Sequence, residues 1–255
     1  MPTNSTPIIE LKHATKVIEN GLESKVILDD VSLQIHATDF ITILGGNGAG
    51  KSTLFNAISG TLSLTSGTIW INGLDVTKHS PEKRAAHISR VFQDPKMGTA
   101  PRMTGVENLA IASLRGKKRT LKLRQINQYK SDFTSLAAQI GNGLEAHLDV
   151  PTGNLSGGQR QALSLLMATI MQPELLLLDE HTAALDPKTS KALMALTERL
   201  VRQQSLTALM ITHHMEDALK YGNRLIVMKD GKIVQDLNAT EKEQMKLEDF
   251  YRIFD

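Results

Sequence analysis

The sequence of 255 residues contains no cysteine. Disulfides, thiolate metal sites and cysteine nucleophiles are excluded at once, and a reducing compartment fits without being required. Long apolar runs are missing too. The best of them, 162–171, carries a Ser and a Thr and falls well short of the roughly 20 residues that a bilayer span needs. Residues 1–12 offer neither a basic start nor an apolar stretch of secretory length, so a signal peptide is not expected. Charge of one sign is scarce as well: 29 Lys and Arg against 27 Asp and Glu leave a net +2, which gives no bulk electrostatic case for a nucleic-acid partner. The remainder is ordinary globular material, 41% hydrophobic and 22% charged, in a chain long enough for one large domain or two small ones with a sizeable core.

Short apolar segments rich in β-branched residues occur at 8–11, 26–35, 40–44 and 68–71, separated by Gly, Asn and Asp, and read as strands. Further on, Leu163, Leu166, Met167 and Ile170 fall at i, i+3, i+4 and i+7, and Leu193, Leu196 and Leu200 continue the spacing, which predicts helices with one buried face. Three very apolar runs, 175–178, 206–211 and 225–228, are too short for helices and read as buried parallel strands. Lys229-Asp230-Gly231-Lys232 predicts a hairpin turn into 233–235. Strands alternating with helices after a β-rich start predict an α/β core with an antiparallel β portion. Residues 95–151 differ, being helical in character, poor in long apolar faces and broken at Gly116 and Gly141-Asn142-Gly143. They read as a helical subdomain inserted in a core made of 1–94 and 152–255. Within it, 115–124 holds six basic residues in ten, either a solvated helical face or a contact for phospholipid headgroups or an acidic partner.

Gly45, Gly46, Asn47, Gly48, Ala49, Gly50, Lys51, Ser52 and Thr53 fit G-x-x-x-x-G-K-[ST], between the strand 40–44 and a helical run that stops at Gly60. Glycines let backbone N–H groups curl around a phosphate, a helix N-terminus adds its positive dipole, Lys51 reaches the β- and γ-phosphates, and the Ser52 hydroxyl ligates Mg²⁺. The alternative, a glycine-rich turn with a chance lysine, is disfavoured by the flanking strand and helix. The run 175–178 ends in Asp179 and Glu180, which places two carboxylates at the carboxyl edge of a parallel sheet. Alone, such a pair caps the next helix; beside a phosphate loop, Asp179 holds the magnesium shell and Glu180 takes a proton from the attacking water. Ser156, Gly157, Gly158 and Gln159 open the helix of Leu163–Ile170 and form a second glycine-rich phosphate device. One nucleotide has no obvious need of two such loops, so the second is inferred to serve a nucleotide held by another copy.

The phosphate loop, Leu155-Ser-Gly-Gly-Gln159, the acidic strand end, Gln93 in Val91-Phe-Gln-Asp94, Ala184-Leu-Asp186 and Thr212-His213, in this chain order, resemble the ATP-binding subunit of ABC transporters over nearly the whole chain. The resemblance implies an α/β fold, a P-loop NTPase core with an antiparallel β subdomain and an inserted helical subdomain. It also implies a head-to-tail homodimer sandwiching two ATP between one subunit's phosphate loop and the other's Ser156–Gln159. In that pattern Gln93 touches nucleotide and metal and couples the γ-phosphate site to the membrane partner, Asp186 works across the dimer, and His213 contacts the γ-phosphate. From the residues alone, His213 is as readily a capped strand end as a catalytic group, and His214 matches the pattern less well.

The segments 91–101, 165–170 and 180–187 resemble, more narrowly, the bacterial branch that accompanies lipoprotein-type binding proteins and permeases similar to those for sugars and branched-chain amino acids, a branch associated with uptake of tryptophan-type amino acids. This implies permease subunits as partners, an extracytoplasmic binding protein as an indirect one, and a peripheral place on the cytoplasmic membrane face. A soluble ABC ATPase of the iron–sulfur assembly type is the alternative. Two positions depart from the family. Where an aromatic usually stacks on adenine, the best-aligned residue is Ile18, giving an aliphatic contact. After Glu180 stands His181 in place of the usual proline; it either shifts the proton affinity of the base or faces solvent, and solvent is expected.

Overall fold

The computed structural model describes residues 6–21, 23–117 and 126–254. In chain order the strands are β1 (Ile9–Asn20), β2 (Glu23–Ile35), β3 (Phe40–Gly45), β4 (Ser66–Ile71), β5 (Leu74–Asp75), β6 (Ile88–Val91), β7 (Leu175–Asp179), β8 (Ala208–Ile211), β9 (Arg224–Lys229) and β10 (Lys232–Leu237). The α-helices are α1 (Lys51–Ser59), α2 (Pro81–Arg84), α3 (Gly105–Ala112), α4 (Ile126–Ala138), α5 (Gly157–Thr169), α6 (Pro187–Gln203), α7 (Met215–Lys220), α8 (Ala239–Gln244) and α9 (Leu247–Phe254). Contacts divide the chain into two compact units: Met1–Arg84 with Leu206–Asp255, and Ala85–Ser205. The second unit therefore contains β6, β7, α5 and α6 in addition to the helices of 95–151.

The first unit holds an antiparallel sheet in the order β2-β1-β4-β5 and the strands β10-β9-β3-β8. In β2 the alternation of buried and exposed residues runs cleanly from Val31 to Ile35 but slips between Leu28 and Val31, where Asp30 takes φ 53° opposite a register shift of β1. That is a β-bulge, and it keeps both Leu28 and Val31 on the core side. Strand β3 lies parallel to β8 and to β9, and all six of its residues are buried. Its one hydroxyl, on Thr42, donates to the carbonyl of Ala218 at 3.0 Å, so the polar atom is satisfied. The β9–β10 hairpin turns through Asp230 and Gly231, both at positive φ, the pair that a two-residue hairpin matched to strand twist requires.

In the second unit β6 and β7 pair in parallel, Ile88 opposite Leu175 and Val91 opposite Leu178. Leu175, Leu176, Leu177 and Leu178 have no exposure, as the unbroken apolar run predicts. Helix α6 buries Leu193, Leu196 and Leu200 along one stripe. Helix α5 differs from the one-faced helix read from its spacing: Arg160 through Leu166 are buried without a break, so nearly its whole circumference is covered. Gln161 and Ser164 hide this in the sequence, because polar residues within an apolar repeat imitate a solvent face.

Candidate functional site

In the first unit the chain leaves β3 at Gly45, makes the loop through Gly46, Asn47, Gly48 and Ala49, and starts α1 at Lys51. Gly50 caps that helix at φ 97°, and a Cβ there would come within 2.7 Å of the Ile27 carbonyl oxygen, so only glycine fits. No side chain caps α1. The leading N–H groups of a helix have no partner inside it, and in the loop before them a methyl added at Gly46 or Gly48 would meet nothing within 4 Å. The Lys51 ammonium is buried against the loop and donates to the carbonyls of Gly45 and Gly46 at 2.7 and 2.9 Å. Both carbonyls belong to the loop itself, so the ammonium is held over the loop by its own backbone. Ser52 is exposed and Thr53 half-buried at the same helix start. Thr212 donates its N–H to the Ile43 carbonyl at 3.2 Å, which sets the exposed His213 just past β8, at the same carboxyl edge as the phosphate loop after β3. An apolar contact is available from Ile18 on β1, which is 46% exposed.

In the second unit the parallel β6–β7 pair delivers Gln93 and the Asp179-Glu180 pair to one edge. Gln93 is exposed, two residues beyond Val91. Glu180 takes φ 46°, a left-handed conformation that costs a non-glycine residue about 1–2 kcal/mol, and its carbonyl accepts from Ala183 N–H at 3.0 Å. The Asp179 carboxylate is not alone: Arg90 on β6 reaches it at 2.5 Å.

Ser156 and Gln159 close a capping box at the start of α5: the Ser156 hydroxyl accepts from Gln159 N–H, and the Gln159 side chain accepts from Ser156 N–H, each at 3.2 Å. Ser156 and Gly157 stay exposed. A Cβ on Gly158 would sit 2.5 Å from Cγ2 of Thr189, so the loop is pressed against the start of α6. Asp186 caps α6, accepting from the N–H groups of Lys188 and Thr189 at 3.1 Å. A side-chain hydrogen bond from Thr189, seconded by these backbone bonds, holds its carboxyl below the ordinary Asp value.

The profile of the family described as ABC transporter matches residues 28–183, which include the phosphate loop, Gln93, Ser156–Gln159, Asp179 and Glu180. A tyrosine transport ATP-binding protein of Clostridioides difficile (strain R20291) is 41% identical over 249 residues, 97% of this chain and 99% of that one. This chain belongs to the ABC transporter family. A phosphonates import ATP-binding protein of Lactococcus lactis subsp. cremoris (strain SK11) is 33% identical over 96% of this chain and 99% of its own length. Among solved structures, a dimeric ATP-binding cassette in a post-hydrolysis state, bound to ADP and phosphate, has a TM-score of 0.77 at 26% identity, covering 91% of this chain and 98% of that one. The protein is accordingly an ATP-binding subunit of the ABC transporter type, with ATPase activity and the P-loop α/β fold. The relatives are transport proteins and lend nothing to the iron–sulfur alternative.

Three residues of this ABC ATPase were not legible beforehand. His181 does not face solvent: its side chain is buried at 2% exposure, and Nε2 lies 2.9 Å from the Thr197 hydroxyl of α6. Burial pushes its imidazole down to about 4, so the ring is neutral at pH 7. The polar neighbours of His181 suggest a surface; α6, folding back over the turn, makes it an interior. Gln161, which carries no motif role, donates from Nε2 to the carbonyl of Phe92 at 2.8 Å, tying α5 to the residue before Gln93. Arg90 had no signal beyond its place three residues before Gln93. Of the basic run, 118–124 lies outside the described residues, while Arg115 turns inward and donates to the Ala168 carbonyl at 3.2 Å. His214 is exposed, with its N–H on the Thr212 hydroxyl.

Proposed function

We propose that the chain is the ATPase subunit of an importer and drives a permease for an amino acid or similar small solute through ATP-dependent closure of a homodimer. The 41% identity to a tyrosine transport ATP-binding protein over almost the full length of both chains carries this reading. The dimeric cassette among its structural relatives supports the closure. The bacterial branch with lipoprotein-type binding proteins is proposed on the resemblance of segments 91–101, 165–170 and 180–187 alone, and such a binding protein would be an indirect partner. Among the described residues no helix is long and apolar enough to cross a membrane, so attachment to the membrane face would come through the permease subunits.

The residue roles proposed are those that the chemistry of the phosphate loop and acidic pair suggests and, for Gln93, His213, Asp186 and the action of Ser156 to Gln159 on a second copy, those that the family resemblance implies. The N–H groups of Gly46 to Thr53 and the Lys51 ammonium bind the β- and γ-phosphates, and Ile18 gives the base an aliphatic contact. Ser52, Gln93 and Asp179 offer only oxygen donors, the hard set that suits magnesium, and a metal arriving on ATP needs few protein ligands. Consistently, among the described residues no group of three or more His, Asp or Glu gathers into a metal site of its own. Magnesium, when bound, neutralises charge on the phosphates. Glu180 accepts a proton from the attacking water, His213 donates to the γ-phosphate, and Ser156 to Gln159 and Asp186 act on the nucleotide held by the second copy.

The test is a detergent pull-down of the tagged chain from its own membranes, joined to uptake of labelled amino acids by cells with and without it. Copurification of integral permease subunits and loss of uptake of at least one amino acid are expected. Capture of no integral subunit, with uptake unchanged, overturns the reading.

A further inference from the structure

Arg90 and Asp179 are brought together by strand register. Arg90 pairs with Leu177 across β6–β7, and Asp179, two residues further along, projects to the same face. The guanidinium Nη2 lies 2.5 Å from Oδ2 of Asp179, and both side chains are 13% exposed. The guanidinium also stacks near an aromatic ring, its carbon sitting 4.8 Å from the centre of Phe92. Arg90 thus meets both the residue before Gln93 and the carboxylate that ends β7. A pair so far removed from water is costly to break from one side, because the remaining charge stays buried without compensation.

We propose that Arg90 is a positioning residue of the ATP site, which holds and neutralises the Asp179 carboxylate while no metal is present and so sets how strongly nucleotide binding depends on magnesium. This rests on the reading of Asp179 as a carboxylate on the metal side of ATP. Such a carboxylate repels metal-free ATP and favours the magnesium complex. A fixed cation on it weakens both effects. Without Arg90, ATP binds less well in the absence of magnesium and at least as well in its presence.

The measurement is the ratio of AMP-PNP affinities in magnesium and in EDTA, by calorimetry on the full-length chain, with thermal melts to verify folding. Arg90→Gln is expected to raise this ratio at least about fivefold, the lower end of ordinary coupling between two ligands. Arg90→Lys, which keeps the charge, should stay nearer wild type than Arg90→Gln. In an Asp179→Asn background, replacing Arg90 should leave the ratio unchanged, which a general structural role would not produce. If wild type responds to magnesium and Arg90→Gln gives the same ratio, the Arg90 proposal is overturned alone. If Arg90→Gln does not fold, Arg90→Lys is compared with its parent in the wild-type and Asp179→Asn backgrounds: a raised ratio that vanishes in Asp179→Asn supports the proposal, and no rise, or an equal rise in both backgrounds, overturns it. A wild type indifferent to magnesium overturns the reading of Asp179, and this proposal with it.

Discussion

Glu180 stands at a left-handed backbone position immediately after a buried strand, with His181 driven into the interior behind it. The strand end and the turn fix the backbone of Glu180, which suits the role of general base proposed for it. Glu180→Gln keeps the shape and removes the base, so nucleotide binding should persist while turnover falls about 10²- to 10⁴-fold, or roughly 3–5 kcal/mol of barrier. A phosphate-release assay at saturating ATP measures it, and turnover near wild type would contradict the assignment. His181 makes a separate, thermodynamic prediction. Its pKa is about 4 in the folded protein, lowered by burial, against roughly 6.5 unfolded. The unfolded chain therefore binds the extra proton first, and the stability that the neutral ring permits is complete above pH 6.5 and lost as pH falls toward 4. The loss amounts to about 3 kcal/mol. Urea unfolding from pH 7 to 4.5 should show a shallower decline in His181→Asn than in wild type; parallel curves would mean that the ring is not desolvated in solution.

At the scale of elements, the glycine-rich loop Ser156–Gln159 is held by the helices on either side of it. Helix α5 is capped by its own Ser156–Gln159 box, and α6 by Asp186, with Gly158 wedged against Thr189 between them. Glycine inside a helix is ordinarily replaced by alanine with a gain of about 1 kcal/mol. Here the added methyl collides with Thr189 Cγ2, so Gly158→Ala should destabilise, by about 1–3 kcal/mol as overpacking does. Thr189→Ser removes the obstructing methyl and should restore most of the loss. Thermal melts of the two single variants and the double variant decide the matter, and additive effects would show that the contact is absent. The capping box was legible in the sequence, because Ser156 and Gln159 lie three residues apart at a helix start. The contact with Thr189 was not, because nothing local to Gly158 says what lies over it.

For the whole molecule, the proposed dimer places the two phosphate-binding loops of one chain on different nucleotides. Ser156→Arg should then abolish turnover while the isolated subunit keeps its affinity for ATP, since Lys51 and Ser52 remain intact. Glu180→Gln with ATP should elute from a sizing column at twice the mass of the nucleotide-free protein, and Glu180→Gln/Ser156→Arg should not. A parallel fall in affinity and turnover for Ser156→Arg would place the second loop on the same nucleotide as the first.

The sequence by itself determined the phosphate loop, the acidic strand end, the glycine-rich helix start and most sheet strands, but not β5, β6 or the extension of β1 to Asn20. Each depends on residues within a few positions of one another, where backbone periodicity and capping chemistry act. The tertiary structure alone decided which polar side chains became interior parts of the machinery. Arg90 finds Asp179 across 89 residues because β6 and β7 are in register, and His181 finds Thr197 because α6 folds back over it. Burial and pairing of this kind depend on which distant segment covers a side chain, a property that strand pairing and helix packing create and local spacing does not contain.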